Sequence, residues 1–282
     1  MILGVHTSTQ GGIQNAILRA HELGCNTLQI FSRNPQQWRS VALDAGRVAE
    51  FRFFRKEYHI DPVFIHIPYL INLASPNPRL YKASVQAYIE DIQEAACLEA
   101  DFIVTHMGSH KDTTEIGGIR RFARALNKII GKTADSNVGI LLENTAGSGS
   151  WLGYKFSHQR KVLEHVKDPA RIGLCLDTAH AYAAGYDLAT PEGLAKLLDD
   201  VDKNVGVQRI KLIHLNDTPE KLKSRRDHHT HIGEGNIGLA GMKRIINHET
   251  LRDCAFILET PKMVPQDDAR NLAVVRTLRK EV

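Results

Sequence analysis

Residues 172–180 read Ile172-Gly173-Leu174-Cys175-Leu176-Asp177-Thr178-Ala179-His180. A short apolar run ends on a carboxylate, and an imidazole follows three positions later. A helical turn begun after the run brings both side chains to the same side. The pattern of an apolar, β-rich run followed by a helical segment recurs along the chain. The runs are Ile2–Val5, Thr27–Phe31, Val63–Ile65, Phe102–Thr105, Val138–Leu142, Ile172–Leu176, Ile210–Ile213 and Phe256–Leu258. Between them, Val85, Tyr88, Ile89, Ile92, Ala95 and Ala96 recur at helical spacing, as do Ile119, Phe122, Ala123, Leu126, Ile129 and Ile130. The first helix is expected to end at Leu23, with Gly24 left-handed beyond it, and the last to span Asp267 to Arg279.

Strand followed by helix, eight times, predicts parallel pairing through right-handed crossovers. Eight such units in 282 residues match a (β/α)8 TIM barrel, α/β in class. An open doubly wound sheet is the rival, and continuous apolar strands suit both; the count of eight favours the barrel. No Gly/Ser/Pro linker or composition break divides the chain, so a single domain over residues 1–282 is expected.

Composition sets the outer bounds. With 43% hydrophobic and 24% charged residues the chain has ample material for a core, and disorder is excluded. Lys+Arg minus Asp+Glu is 36 − 32 = +4, which permits an anionic partner without demanding one. Cys25, Cys97, Cys175 and Cys254 are spread evenly with no CxxC pair, so reduced thiols in a cytoplasmic protein are expected. Met1 leads straight into an apolar run, so no signal peptide is expected, and no apolar stretch is long enough for a membrane span.

The residues closing the eight runs are His6, Phe31, His66, His106, Glu143, Asp177, His214 and Glu259. From the third run to the eighth, each ends in His, Asp or Glu. In a barrel these ends converge on the face where active sites of this fold sit. One polar residue at a strand end is usually a satisfied capping group. Six in succession would cost several kcal/mol each if buried without partners or metal, and a metal cluster removes that difficulty. The spacing Asp177 to His180 adds an imidazole. Asp227-His228-His229 adds two more groups, because alternate residues of an extended segment share a side. His231 shares that side too, and spacing alone leaves it open. The candidate set is His66, His106, Glu143, Asp177, His180, His214, Asp227, His229 and Glu259. Its nitrogen and oxygen donors exceed the needs of one zinc and suit two or three ions, Zn²⁺ first, then Mn²⁺ or Fe. Adjacent metals are apparatus for in-line displacement at phosphorus.

Other signals are weaker. His21, His59, His158, His165 and His248 fall in helical patterns and read as surface or core. His6, His110, His228 and His231 suit the rim of the site. Gly233-Glu234-Gly235-Asn236-Ile237-Gly238 is a turn of the kind that can cradle phosphate, although such strings more often only lead into a helix. Lys221-Leu222-Lys223-Ser224-Arg225-Arg226 is a basic run that gains meaning beside a metal site.

At these residues the sequence resembles the endonuclease IV family of apurinic/apyrimidinic (AP) endonucleases, nearly end to end. The likeness is carried by Gly4-Val5-His6, Phe31-Ser32-Arg33-Asn34 through Gln37-Trp38, His66-Ile67-Pro68-Tyr69-Leu70-Ile71-Asn72 and Thr105-His106-Met107-Gly108-Ser109-His110. It continues through Leu142-Glu143-Asn144-Thr145-Ala146-Gly147, Leu176 to His180, His214-Leu215-Asn216-Asp217, Asp227 to Gly235, and Leu258-Glu259-Thr260-Pro261. The resemblance implies three Zn²⁺ ions: one on His66, His106 and Glu143; one on Glu143, Asp177, His214 and Glu259; one on His180, Asp227 and His229, with His231 outside. It further implies hydrolysis 5′ to an abasic site in duplex DNA, cleaning of blocked 3′ ends, and Glu143 and Glu259 as catalytic residues, Glu259 acting on the attacking water. Tyr69 and Leu70 match side chains inserted at the lesion. Where well-studied members carry Arg in the other probing loop, this chain has Gln36, between Pro35 and Gln37. Arg33, Gln36, Gln37, Arg225 and Arg226 complete the expected DNA contacts, and a monomer is expected.

Two other classes compete. Glu143, Asp177, His214 and Glu259 alone resemble the single-metal cluster of xylose-isomerase-like sugar isomerases and epimerases, which have no need of the other five ligands. A non-catalytic reader of damaged DNA with structural metals would favour closed, Cys-rich sites.

Overall fold

The structure is a computed structural model that describes residues 1–34, 37–38 and 43–279. Strands β1 (Ile2–His6), β2 (Thr27–Phe31), β3 (Val63–His66), β4 (Phe102–His106), β5 (Gly139–Glu143), β6 (Ile172–Asp177), β7 (Ile210–His214) and β8 (Ala255–Leu258) pair in sequence order, all parallel. β1 and β8 close the ring. The barrel, rather than the open sheet, is therefore the fold. Helices α1 (Asn15–Glu22), α2 (Ala45–Glu57), α3 (Pro78–Cys97), α4 (Glu115–Lys132) and α5 (Phe156–His165) follow the first five strands. α6 (Thr178–Ala184) and α7 (Pro191–Asn204) both follow β6, and α8 (Gly238–Asn247) and α9 (Asp267–Leu278) follow β7 and β8.

Local chemistry sets the helix ends. Asn77 caps α3 by accepting from the N–H groups of Arg79 and Leu80, with Pro78 in the first turn, where no N–H is needed. α1 ends at Glu22 with Leu23 as its C-cap, one residue short of the end its sequence predicts, and Gly24 takes φ +66°, a conformation glycine adopts without penalty. His59 and His248 lie just past α2 and α8 rather than within them.

The apolar residues divide into two cores. Most fill the layer between strands and helices. The second, Phe64, Val104, Leu141, Cys175, Leu212, Ala255 and Ile257, fills the barrel interior. This inner plug sets the height of the site. His66, His106, Glu143, Asp177, His214 and Glu259 each follow an inner-core residue by two positions: Phe64, Val104, Leu141, Cys175, Leu212 and Ile257. Strand side chains alternate between faces, so all six turn toward the barrel axis one layer above a dry floor. Register seats them side by side, with His106 opposite Glu143 and Asp177 opposite His214. Among the described residues no helix is long and apolar enough to cross a membrane, and all four cysteines are free.

Candidate metal centre

Glu143 is the hub. One carboxylate oxygen lies 3.0 Å from both His66 Nε2 and His106 Nε2, and the other lies 3.2 Å from His214 Nδ1. His214 Nδ1 also stands 3.3 Å from Glu259 Oε2 and 3.9 Å from Asp177 Oδ2. Asp177 serves twice. Its Oδ1 caps α6 by accepting from the His180 N–H at 2.7 Å, which aims the His180 ring back over the strand ends. Asp227 Oδ1 then reaches His180 Nε2 at 3.0 Å and His229 Nε2 at 3.4 Å. All nine predicted ligands thus meet at one end of the barrel, under a cleft of about 390 Å³.

Their donor atoms fall into groups compact enough for single ions: His66, His106 and Glu143; Glu143, Asp177, His214 and Glu259; Asp177, His180 and His229. The last differs from the family-derived set by including Asp177, and Asp227 borders it through both imidazoles. Cys175 also approaches Glu143 and His214, but burial pushes its thiol up to about 12, leaving it a neutral part of the floor.

The orientation of each ring fits a cation. Nδ1 of His66 donates to Ile67 O at 2.7 Å, Nδ1 of His180 to Asn144 O at 2.9 Å, and Nδ1 of His229 to Glu259 O at 3.2 Å. A carbonyl only accepts, so in the neutral rings Nε2 keeps its lone pair; Nε2 faces Glu143 in His66, Asp177 and Asp227 in His229, and Asp227 in His180, whose Nδ1 also lies 3.3 Å from Glu143. Backbone support of this kind is what metal-binding imidazoles use. His106 Nε2 and His229 Nε2 are buried close to carboxylates yet make no aligned hydrogen bond, the state expected of nitrogens reserved for an ion.

The electrostatics agree. Burial opposes charge on Glu143, yet His106 and His214 hold its carboxyl well below the ordinary range, and Glu259 is lowered by His214 against the same penalty. Burial likewise works against protonation of His180 and His214, but neighbouring acids raise both. These are signatures of a pocket that attracts positive charge, whether protons or metal.

The expected DNA contacts divide. Tyr69 is exposed at the rim and Leu70 half-buried behind it. Gln37 and Arg226 are exposed. Gln36 lies outside the described residues. Arg225 is exposed with its guanidinium 5.1 Å from the Tyr154 ring centre, and φ +56° marks a tight bend before Asp227. Arg33 departs from its expected role as a direct contact. Its guanidinium is buried, bonded to Asp91 at 2.5 and 2.8 Å and to the Ala87 and Trp38 carbonyls. In this structure it joins the Trp38 carbonyl to α3 from within the protein.

The Gly-rich turn is no phosphate cradle either. The N–H groups of Gly233, Gly235, Ile237 and Gly238 all donate to the buried Asp217 carboxylate. A Cβ on Gly235 would stand 2.3 Å from that carboxylate, so the close wrap requires glycine. His231 turns away from the cluster and accepts from Asn271. His228 meets Glu220 at 2.6 Å.

Sequence reading missed three amides. Asn144 brackets the end of β6 by bonding Asp177 N and O. Asn216 donates to Asp177 Oδ2 at 2.7 Å and accepts from Glu259 N. Gln29 is buried inside β2 and touches His6, His214 and Glu259. Asn144 follows a ligand directly and Asn216 lies two past one, which was an available signal; Gln29 had only its polarity within an apolar run.

Fold and site together define a xylose isomerase-like TIM barrel, the family that matches residues 17–280. The chain is 42% identical over 281 residues to the probable endonuclease 4 of Halothermothrix orenii, covering 100% of both. It is 38% identical to that of Methanoculleus marisnigri, covering 99% of each. Among solved structures, endonuclease IV from Thermus thermophilus superposes with a TM-score of 0.88 at 36% identity, over 99% of this chain and 98% of that one. The chain belongs to the endonuclease IV family. A D-tagatose 3-epimerase-like protein also superposes, with a TM-score of 0.77 at 19% identity over 99% and 97% of the two chains, a likeness of fold alone.

Proposed function

We propose that this chain is a zinc-dependent, monomeric DNA-repair endonuclease that hydrolyses the phosphodiester 5′ to abasic sites in duplex DNA and clears blocked 3′ ends. The observation that carries this reading is the convergence of eight of the nine candidate ligands into adjoining groups sharing Glu143 and Asp177, with Asp227 against His180 and His229, in a chain of the endonuclease IV family. A one-metal isomerase would leave His66, His106, His180, Asp227 and His229 without a task. His66, His106 and Glu143 would hold one ion, Glu143, Asp177, His214 and Glu259 a second, and His180, Asp227 and His229 a third. Bound there, zinc supplies Lewis acidity and water of lowered pKa.

The chain's own groups do the rest. Tyr69 and Leu70 enter the duplex at the lesion, where a missing base makes flipping cheapest. Glu259 orients the attacking water and takes its proton. The water oxygen bonds to phosphorus as the bond from phosphorus to the upstream O3′ breaks. That oxygen takes up a proton from solvent as it leaves, giving the 3′-hydroxyl, and a 5′-deoxyribose phosphate remains. Arg226, exposed beside Asp227, meets backbone phosphate.

The test is cleavage of a duplex carrying one tetrahydrofuran abasic analogue, before and after chelation and zinc restoration. Expected are a single cut 5′ to the analogue, loss with chelator, recovery with zinc, and very poor cutting of undamaged duplex. Activity indifferent to chelator, or release of an isomerised sugar in its place, overturns the reading.

A further inference from the structure

The geometry points to Gln29 as a positioning residue that selects which atoms of His214 and Glu259 are offered to metal, an inference that rests on the zinc reading above. Gln29 lies in the middle of β2 on the inward face and is fully buried. Register sets it opposite His6 on one side and Phe64 on the other, at the boundary between the apolar plug and the ligand layer. Its amide is completely engaged. Nε2 donates to Glu259 Oε1 at 2.6 Å and to His6 Nδ1 at 3.0 Å, and Oε1 lies 2.8 Å from His214 Nε2.

These partners leave one assignment. A carboxylate oxygen cannot donate, so the amide nitrogen faces Glu259 and the amide oxygen faces His214. His214 must then carry its proton on Nε2, which leaves the Nδ1 lone pair for the acidic cluster. Nδ1 is the atom that stands 3.2 Å from Glu143 and 3.3 Å from Glu259 Oε2. Of the two Glu259 oxygens, Oε1 is tied to Gln29 and Oε2 is turned inward. One uncharged side chain thereby fixes the tautomer of an imidazole at the end of β7 and holds one oxygen of a carboxylate just past β8, whose other oxygen also accepts from Asn216 at 3.4 Å. His66, His180 and His229 obtain the same service from backbone carbonyls. His214 is buried at the barrel centre and obtains it from β2, a strand that supplies no ligand.

The experiment measures zinc affinity and zinc content per chain for the full-length wild type, Gln29→Glu and Gln29→Leu, by competition with a chromophoric chelator. In Gln29→Glu the side chain still accepts from His214 but opposes Glu259 with a like charge; in Gln29→Leu both bonds are lost. Each is expected to weaken one zinc by about 10- to 100-fold while the remaining zinc affinities hold, the range seen when support behind a metal ligand is removed. Wild-type zinc affinities in both variants overturn the inference, as does a proportional weakening of every zinc alongside a lowered melting temperature, the mark of a merely structural role. Should neither variant fold, ¹⁵N NMR of the histidines in zinc-loaded wild type decides. His214 protonated on Nε2 and metal-bound through Nδ1 is the expected result, and the reverse overturns it. A wild type that binds no zinc overturns the metal reading itself and this inference with it, whereas zinc-binding wild type with unaffected variants sinks this inference alone.

Discussion

Asp177 caps α6 and, in the proposed function, would also bind metal; the two jobs have different chemical requirements, and substitution can separate them. As a helix cap it needs one acceptor oxygen for the His180 N–H, which an amide supplies as well as an acid. As a ligand in the proposed metal cluster it would need charge. Asp177→Asn is therefore expected to melt within a few degrees of wild type while metal content per chain falls, read by calorimetry and elemental analysis of the same sample. His180→Ala keeps the backbone N–H and hence the cap, but removes a ligand outright. Turnover on abasic duplex is expected to drop more than about 100-fold, beyond what loosening a ligand's support costs, with the circular dichroism spectrum unchanged. Full activity in this variant would contradict the three-metal assignment. The cysteines offer a check on burial rather than catalysis. Burial pushes Cys25 and Cys254 up to about 11 and Cys175 to about 12, so at pH 8 roughly one Cys25 thiol in a thousand is thiolate, fewer still at Cys175. Cys97 is exposed. Brief iodoacetamide treatment of the native chain, mapped by mass spectrometry, should label Cys97 and spare the other three.

Between residue and barrel, the loops were the hard part to read. The strands were legible because eight runs with an ionisable residue at six successive ends leave little freedom: alternation fixes the face, and parallel register fixes the height. Loop chemistry depends on partners far along the chain. Arg33 follows a strand in the loop that the family resemblance makes a DNA contact, and looks like a phosphate contact, but its partner Asp91 lies 58 residues away on α3. Gly233 to Gly238 looks like an anion cradle until Asp217, itself buried, supplies the anion. Gln29 carries no such signal, because it lies two residues short of a strand end as one polar residue inside the Thr27–Phe31 run. The Arg33–Asp91 pair gives a prediction with a definite sign. Burial raises the Asp91 carboxyl to about 7 even with Arg33 beside it. The folded chain therefore holds a proton that the unfolded chain releases near pH 4, and this group's contribution to stability falls as pH rises from about 4 to 7. Removing the guanidinium in Arg33→Met raises the carboxyl further, so the fall continues above pH 7 in the variant after it has ended in wild type. The variant's deficit should widen by up to roughly 1.4 kcal/mol per pH unit above 7. Urea denaturation at pH 6 and pH 8.5 checks this, and an equal deficit at both would show that Asp91 is not governed by its burial.

At the scale of the whole molecule the question is how a chain of net charge +4 with an acidic centre holds a polyanion. Four carboxylates at the barrel mouth repel phosphate unless cations offset them, so the ions would matter for binding as well as for chemistry. The basic groups that remain are fewer than a sequence count suggests, because Arg33 is engaged inside the protein and Arg225 lies against Tyr154. Arg226 is exposed beside Asp227, where it can reach a backbone phosphate. Each phosphate neutralised by a side chain releases condensed counterions, so the slope of log affinity against log salt counts such contacts. Measured by anisotropy on the abasic-analogue duplex with metal present and cleavage blocked by a non-hydrolysable linkage, Arg226→Ser should lower that slope by about 1. Arg33→Met, although it lies in the loop proposed to probe the lesion, should weaken binding at every salt concentration and leave the slope alone, since its guanidinium is bonded inside the protein. A slope unchanged by Arg226→Ser and reduced by Arg33→Met would mean that the loop opens on DNA and hands Arg33 to the backbone. The buried ion pair would then belong to the free protein only.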